Sequence, residues 1–216
     1  MPRIVCISDT HNQNGKLNIP DGDILIHAGD ALMAGNHIEL VRFNSWFSAL
    51  KHKVKIFVAG NHDRIFEDSP AEAKALLDDS IIYLQDESVE VCGLKFYGSP
   101  WTPIFYDWAF NLERGEEMAK RWRQIPDDTD ILITHGPPRG INDVVRGENG
   151  TIRNEGCDEL LERINELKLL RRLKLHVFGH IHEGYGIINR DEVVFVNASI
   201  CNENYKPVNN PIVLDL

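Results

Sequence analysis

The chain has 216 residues, of which 43% are hydrophobic, so it can bury one sizeable core, and we expect a single domain over residues 1–216. Its formal net charge of −10 argues against a basic surface and therefore against a stable complex with nucleic acid. No apolar run approaches the about 20 residues that span a bilayer, and no secretory apolar segment follows Met1, which predicts a cytoplasmic protein without membrane contact.

Short apolar runs rich in valine and isoleucine alternate with stretches of helical spacing along the chain. The runs predict buried strands at 4–8, 23–28, 54–59, 81–84, 89–97, 130–134, 175–178, 193–197 and 212–214. Apolar residues at helical spacing predict helices at 37–51, 70–78, 113–125 and 155–168. Residues 81–98 also have the pattern of a hairpin with its turn near Asp86-Glu87-Ser88. Interleaved strands and helices with some antiparallel pairing indicate an α/β fold.

Chemically capable side chains follow five of the predicted strands. Because loops at the carboxyl ends of such strands meet at one edge of the sheet, we expect these side chains to converge on one crevice. They are Asp9 and His11 after the first strand, Asp30 after the second, Asn61, His62 and Asp63 after the third, His135 after the 130–134 strand, and His180 and His182 after the 175–178 strand. Five such fragments at one edge favour a shared metal site over five separate structural roles.

The motif Gly60-Asn61-His62-Asp63 is the most specific of these fragments. Its glycine permits a tight turn past a ligand, and Asn61 can offer a neutral amide oxygen to a metal. Asp63 can hold His62 and favour its charged form.

The other fragments are weaker when each is taken alone. Asp9-Thr10-His11 and Gly29-Asp30 also suit capping and turn roles, and His135 by itself fits core packing. The two imidazoles of Gly179-His180-Ile181-His182 share one face of extended chain, a spacing typical of metal ligands.

The ligand types favour a centre of two divalent ions. Neutral Asn and His ligands beside only two aspartates leave such a centre with a small positive charge, which attracts a phosphoester anion. Asp30, between the two halves of the ligand series, is expected to bridge the ions. Two-metal sites hold their ions roughly 3.5–4 Å apart, and a water bridging them loses its proton near neutral pH and attacks phosphorus in line. His62, kept protonated by Asp63, is the expected proton donor to the leaving oxygen.

The ordered series DxH, GD, GNHD, a lone His and GHxH resembles the calcineurin-like metallophosphoesterase superfamily. Segments such as KFYGSPWTP, DILITHGPP, HVFGHIHEGYG and the tail NASICNENYKPVNNPIVLDL are similar to its metallophosphoesterase-domain-containing subfamily, and this likeness extends over nearly the whole chain.

The resemblance implies a fold of two facing mixed β-sheets flanked by helices, an αββα sandwich. It implies a dinuclear phosphodiesterase with 2′,3′-cyclic nucleotides as a substrate class, and His62 with Asp63 as the leaving-group acid. One metal would be held by Asp9, His11, Asp30 and His182, and the other by Asp30, Asn61, His135 and His180. Mn²⁺ is the first expectation, with Fe, Zn, Ni and Co left open by these ligand types.

Two aromatic residues, Trp101 and Tyr205, are candidates for stacking on a substrate base. The expected partner is a small phosphoester or nucleotide, and the sequence leaves the oligomeric state open. A phosphomonoesterase, a protein phosphatase and a metal-binding scaffold with little catalysis are the alternatives. The scaffold is disfavoured because His62 is present.

Overall fold

The secondary structure consists of two mixed β-sheets, two short ribbons and five α-helices within the described part of the chain, which the computed structural model gives as residues 2–147 and 149–216. The strands are β1 (Arg3–Ile7), β2 (Ile24–Ala28), β3 (Val54–Val58), β4 (Ile81–Tyr83), β5 (Glu87–Val91), β6 (Leu94–Ser99), β7 (Thr102–Pro103), β8 (Asn111–Leu112), β9 (Ile131–Thr134), β10 (Val144–Arg146), β11 (Ile152–Asn154), β12 (Leu175–Phe178), β13 (Gly186–Arg190), β14 (Val193–Asn197) and β15 (Ile212–Asp215). The helices are α1 (His37–Ser48), α2 (Ile65–Asp68), α3 (Pro70–Leu76), α4 (Glu116–Trp122) and α5 (Asp158–Leu169).

The first sheet has the strand order β15-β1-β2-β3-β4, in which β1 to β4 are parallel and β15 is antiparallel at the edge. The second sheet has the order β13-β14-β12-β9-β6-β5, with four parallel central strands and an antiparallel strand at each edge. Both sheets are therefore mixed, as the resemblance implies. The short pairs β7–β8 and β10–β11 form separate ribbons.

The central parallel strands are buried on both faces, which explains why they appear in the sequence as continuous apolar runs. Within β1, Ile4 and Cys6 pack between the two sheets, while Val5 and Ile7 pack outward. The outward faces are covered by helices, with Phe43 and Phe47 of α1 on the first sheet and Trp122 of α4 with α5 on the second. The order of layers is helix, sheet, sheet, helix, which confirms the predicted fold class.

Helix boundaries follow local chemistry. Asn36 caps α1 by accepting a hydrogen bond from the backbone N–H of Glu39, and Pro70 begins α3, where its missing N–H has no intrahelical partner to lose. The predicted helices at 37–51, 70–78, 113–125 and 155–168 are confirmed, with boundaries shifted by at most three residues.

The predicted hairpin over 81–98 is wrong. Its first part, β4, pairs in parallel with β3 in the first sheet, and the true hairpin joins β5 and β6 of the second sheet. Its turn is Cys92-Gly93, both with positive φ, and not Asp86-Glu87-Ser88. Asp86 instead lies between β4 and β5, where the chain passes from the first sheet to the second. The predicted strand at 89–97 is two strands, β5 and β6.

The parallel strands of both sheets point the loops that follow them toward one end of the sandwich. Strands β1, β2 and β3 of the first sheet and β9 and β12 of the second each end one to three residues before a predicted ligand. Within 2–147 and 149–216, no helix combines the length and apolar character needed to cross a membrane.

Candidate metal centre

Several side chains at this end of the sandwich are held by a backbone that ordinary residues rarely adopt. Asp9, His11, Asp30 and His180 have φ values of 52°, 40°, 55° and 68°, in the left-handed region. Such conformations cost of order 1–3 kcal/mol each and persist only where the surrounding structure enforces them. The strained backbone at these four positions directs their side chains toward one another.

The first group of converging side chains consists of Asp9, His11 and His182. Nε2 of His182 lies 3.3 Å from Oδ1 of Asp9 and 3.3 Å from Nε2 of His11. The Nδ1 atoms of the two rings face backbone carbonyls, that of Leu32 for His11 and that of Asn202 for His182, so both Nε2 atoms are turned to one point. Burial lowers the pKa of His11 to about 4, which keeps its imidazole neutral and able to ligate.

The second group consists of Asp30, Asn61, His135 and His180. Oδ1 of Asn61 lies 2.9 Å from Nε2 of His135 and 2.8 Å from Nδ1 of His180. Nε2 of His135 also lies 3.2 Å from Oδ1 of Asp30, and its Nδ1 faces the carbonyl of Ala28 at 2.9 Å. Burial lowers the pKa of His180 to about 3. Two imidazoles, an amide oxygen and a carboxylate thus surround one position.

Asp30 lies between the two groups and offers one oxygen to each. Its Oδ1 is the atom close to His135, whereas its Oδ2 lies 3.8 Å from Nε2 of His11 in the first group. The backbone N–H of His62 donates to Oδ1 at 2.8 Å and fixes the carboxylate. The geometry suits a carboxylate that bridges two cations.

Three glycines in the motifs make room for these side chains. A Cβ atom on Gly60 would overlap the carboxylate of Asp30 and the ring of His135, and one on Gly29 would overlap the same ring. A Cβ on Gly179 would overlap the carboxylate of Asp9. The donor set of carboxylate, amide oxygen and imidazole fits Mn²⁺, Fe, Zn²⁺, Ni²⁺ or Co²⁺, so the residues present fit a pair of divalent ions.

The carboxylates also control the charge of two histidines. Burial opposes protonation of His135 and His182, but the attraction and hydrogen bonds of Asp30 and Asp9, respectively, outweigh it and raise both pKa values to about 9. Although burial opposes their charge, the pKa values of Asp9 and Asp30 stay below the ordinary range because of the same contacts. Each group thus holds a proton between a carboxylate and an imidazole, which a divalent cation would displace.

His62 borders both groups and faces the open side of the centre. Its Nδ1 lies 2.7 Å from the carbonyl oxygen of Met33, which identifies Nδ1–H as the donor, and its Nε2 has no hydrogen-bond partner among the described residues. One ring nitrogen of His62 lies within 4.8 Å of ligand atoms of His11 and Asp30. The ring is thus oriented with Nε2 available to a bound molecule.

The expected hydrogen bond between Asp63 and the His62 ring is not formed within the described ranges, and this expectation is corrected. The buried Asp63 carboxylate accepts backbone N–H groups from Gly60 at 2.8 Å, Leu32 at 2.9 Å and Ala31 at 3.3 Å. Burial and the nearby Asp30 charge raise the pKa of Asp63 to about 7. Adjacent residues in this turn point in different directions, so Asp63 ties together the loops after β2 and β3 while the Met33 carbonyl orients His62.

Residues 2–184 match the family described as calcineurin-like phosphoesterases, and this span includes every member of both groups. The chain belongs to the calcineurin-like phosphoesterase family. Membership confirms the predicted recognition and supports a hydrolase of phosphoric esters that uses divalent metal ions.

Two mammalian relatives match this chain over nearly its whole length. Metallophosphoesterase domain-containing protein 1 of Homo sapiens is 43% identical over 238 residues, covering 99% of this chain and 71% of the relative, and the Mus musculus protein gives the same values. Among solved structures, TT1561 of Thermus thermophilus superposes with a TM-score of 0.58 at 12% identity, covering 91% of this chain and 88% of that one. This last likeness concerns the fold alone.

A cavity of about 530 Å³ opens onto the candidate metal centre. Of the two aromatic residues predicted to stack on a substrate base, only Tyr205 borders this cavity. Tyr205 lines the cavity, 39% exposed, with its ring 4.8 Å from that of His11. Trp101 is directed elsewhere: its indole N–H donates to Asp86 at 2.8 Å, and the guanidinium of Arg121 lies over its ring. Trp101 thus packs beneath its loop and does not line this cavity.

Arg64 and Trp108 are among the cavity-lining residues that sequence reasoning missed. Trp108 stacks on His62 with 4.0 Å between ring centroids. Arg64 directly follows the GNHD motif, and Trp108 lies a short distance after the segment KFYGSPWTP. Their approach to the centre depends on how the 104–110 loop folds back, which no local pattern reveals.

Proposed function

We propose that this chain is a dinuclear metal-dependent phosphodiesterase that hydrolyses small phosphodiesters, with 2′,3′-cyclic nucleotides as the candidate physiological class. The observation that carries the proposal is the position of Asp30, which presents Oδ1 to one ligand group and Oδ2 to the other. A single carboxylate shared in this way favours two adjacent ions over two independent sites.

Each ion would have its own ligands in addition to Asp30. The first would be held by Asp9, His11 and His182, and the second by Asn61, His135 and His180, with Mn²⁺ as the first candidate for both. When bound, such a pair polarises a phosphoryl oxygen and makes a water acidic enough to supply the nucleophile near neutral pH. Four neutral imidazoles and one amide among the ligands leave the centre attractive to an anionic ester.

The chain's own residues orient the ester and handle the leaving group. His62 lines the cavity with Nδ1–H committed to the Met33 carbonyl, so a proton carried on the other ring nitrogen, Nε2, can pass to the departing oxygen. A buried hydrogen bond from the His62 backbone N–H to the Asp30 carboxylate fixes the position of His62 relative to Asp30. This preorganisation avoids rearrangement during the reaction.

The size and lining of the cavity support a small substrate. Its volume of about 530 Å³ lies within the usual range of about 300–1,000 Å³ for small-molecule sites. Tyr205, Phe105 and Tyr106 offer aromatic surface at its mouth, which suits a flat group attached to the phosphate. The net charge of −10 argues against long polyanionic substrates.

The test is hydrolysis by the Mn²⁺-loaded protein of 2′,3′-cyclic AMP, 3′,5′-cyclic AMP, bis-p-nitrophenyl phosphate and p-nitrophenyl phosphate. Asp30→Ala should abolish diester turnover and reduce bound metal, whereas His62→Ala should retain the metal and lose about 100-fold or more in kcat on substrates with poor leaving groups. Asp191→Ala, on an exposed turn, is the control and should retain full activity. Two bound metals without turnover of any diester would refute the proposal, and preference for the monoester would favour a phosphomonoesterase.

A further inference from the structure

His62 has an aromatic neighbour that neither the motif nor the family match assigns to the site. The ring of Trp108 lies 4.0 Å from that of His62, centroid to centroid, with 37° between their planes. The nearest ring on another side, His11, meets His62 edge-on at 4.7 Å. Trp108 therefore covers one face of the imidazole, while Nδ1 is held by Met33 and Nε2 has no partner among the described residues at the cavity that His62 lines.

The segment that carries Trp108 is fastened to the same turn as His62. The Arg64 guanidinium donates to the carbonyl of Asp107, immediately before Trp108. The N–H of Ala109, immediately after it, donates to the carbonyl of Asn61 at 3.2 Å. Trp108 is thus anchored on both sides by residues of the turn that carries His62, so the stack belongs to one rigid unit.

We propose that Trp108 is a positioning residue that holds the His62 imidazole so that Nε2 points at the leaving-group oxygen. The effect of Trp108 on the reaction rests on the proposed function, whereas its contact with His62 rests on the observed ring stack alone. The Met33 carbonyl fixes one point of the ring but leaves rotation about that hydrogen bond, and the flat face of Trp108 removes this freedom. Proton transfer requires a heavy-atom separation of about 2.6–3.2 Å, so a swing of the ring weakens transfer without changing substrate binding.

The reaction test compares leaving groups. Aryl phosphodiesters would be assayed with leaving phenols from p-nitrophenol, which departs without a proton, to unsubstituted phenol, which needs one. Trp108→Leu should lower kcat about tenfold for the phenol ester and less than about twofold for the p-nitrophenol ester, with KM and metal content unchanged. His62→Ala should show the same pattern more strongly, and Trp108→Phe should restore most of the loss.

Trp46→Leu is the matched control, because Trp46 is half-buried on α1 and packs on Phe43 and Phe47 in the helical layer away from the centre. It should leave the dependence on leaving group unaltered. A uniform loss in Trp108→Leu over all esters, a rise in KM alone, or loss of bound metal would overturn the positioning role.

The contact itself is tested without turnover, by the thermal unfolding midpoints of Trp108→Leu, His62→Ala and the double variant, all metal-free. Stacked partners should give shifts that fail to add, whereas additive shifts would overturn the stack. An inactive parent enzyme would refute the proposed function, and with it the catalytic consequence of Trp108, while non-additive shifts would still support the structural part. An active parent with additive shifts would refute the inference alone.

Discussion

Acid should unfold the metal-free protein partly through two histidines outside the centre, and replacing one of them should reduce that sensitivity. His27 of β2 and His176 of β12 are fully buried among aromatic rings. Each has Nε2 at hydrogen-bond distance from a threonine hydroxyl, Thr10 at 2.9 Å and Thr134 at 2.8 Å. In the structure described, neither Nδ1 has a partner, and burial lowers both pKa values to about 3.

The sign follows from the depressed folded-state pKa. Each histidine stays neutral in the folded protein and takes up a proton on unfolding below a pKa of about 6.5, so its contribution to stability is present above that pH and is lost toward pH 3. Between neutral pH and pH 5, the contribution of each histidine to the free energy of unfolding falls by about 2 kcal/mol. Below pH 3 the total decrease for each histidine approaches about 5 kcal/mol. The free energy of unfolding of His176→Gln should therefore decrease by about 2 kcal/mol less than that of the parent between neutral pH and pH 5.

The measurement is urea unfolding followed by circular dichroism at several pH values, with a chelator present. Glutamine keeps a polar partner for Thr134, and comparing the change with pH, not absolute stability, removes any general effect of the substitution. His37→Gln, on the exposed surface of α1, is the control and should keep the acid sensitivity of the parent. Equal losses in the parent and His176→Gln would refute the reasoning.

Three further predictions concern the centre. Gly60→Ala should lose most bound Mn²⁺ by elemental analysis, because the new Cβ overlaps the Asp30 carboxylate, whereas Gly15→Ala, with open space around it, should bind normally. Binding of Mn²⁺ should displace a proton from His135 or His182, so the affinity for Mn²⁺ should rise with pH up to about pH 9. The rise should be about tenfold per pH unit for each displaced proton, as measured by calorimetry. An affinity that stays constant between pH 6 and 9 would contradict the raised pKa values. Asp63→Ala should lower the free energy of unfolding by about 1–3 kcal/mol because three backbone N–H groups lose their acceptor; a variant of parental stability with altered leaving-group dependence would instead support a direct Asp63–His62 pair.

Much of the fold was readable from local pattern. Strands buried on both faces must be continuously apolar, and helices that cover one face must be apolar at helical spacing, so the central strands and four of the five described helices were found with small boundary shifts. The edge strand β13, the strands of the two ribbons and the short helix α2 were not predicted. The 81–98 segment was misread because its two parts belong to different sheets. Alternation along a strand shows that a residue is buried but not which sheet it joins.

The side chains predicted to act as ligands converge for a related reason. Ligands directly after parallel strands meet wherever the strands align, so Asp9, Asp30 and His135 could be grouped from order and spacing alone. The amide of Asn61 lies between two imidazoles, as its place in the GNHD motif suggests. These assignments depend on backbone direction, which the sequence pattern encodes.

The sequence by itself determined the family through its ordered motifs, and through that resemblance the order of layers. It also determined which residues approach one edge of the sheets, because that follows from their position relative to strand ends. The partners of His62 and Asp63, the distance of Trp101 from the cavity and the stack of Trp108 on His62 were decided only by the tertiary structure. Those contacts depend on how the loops at 31–35 and 104–110 pack against the turn after β3. Loop packing is set by the whole set of surrounding residues, so side-chain direction there has no local signature.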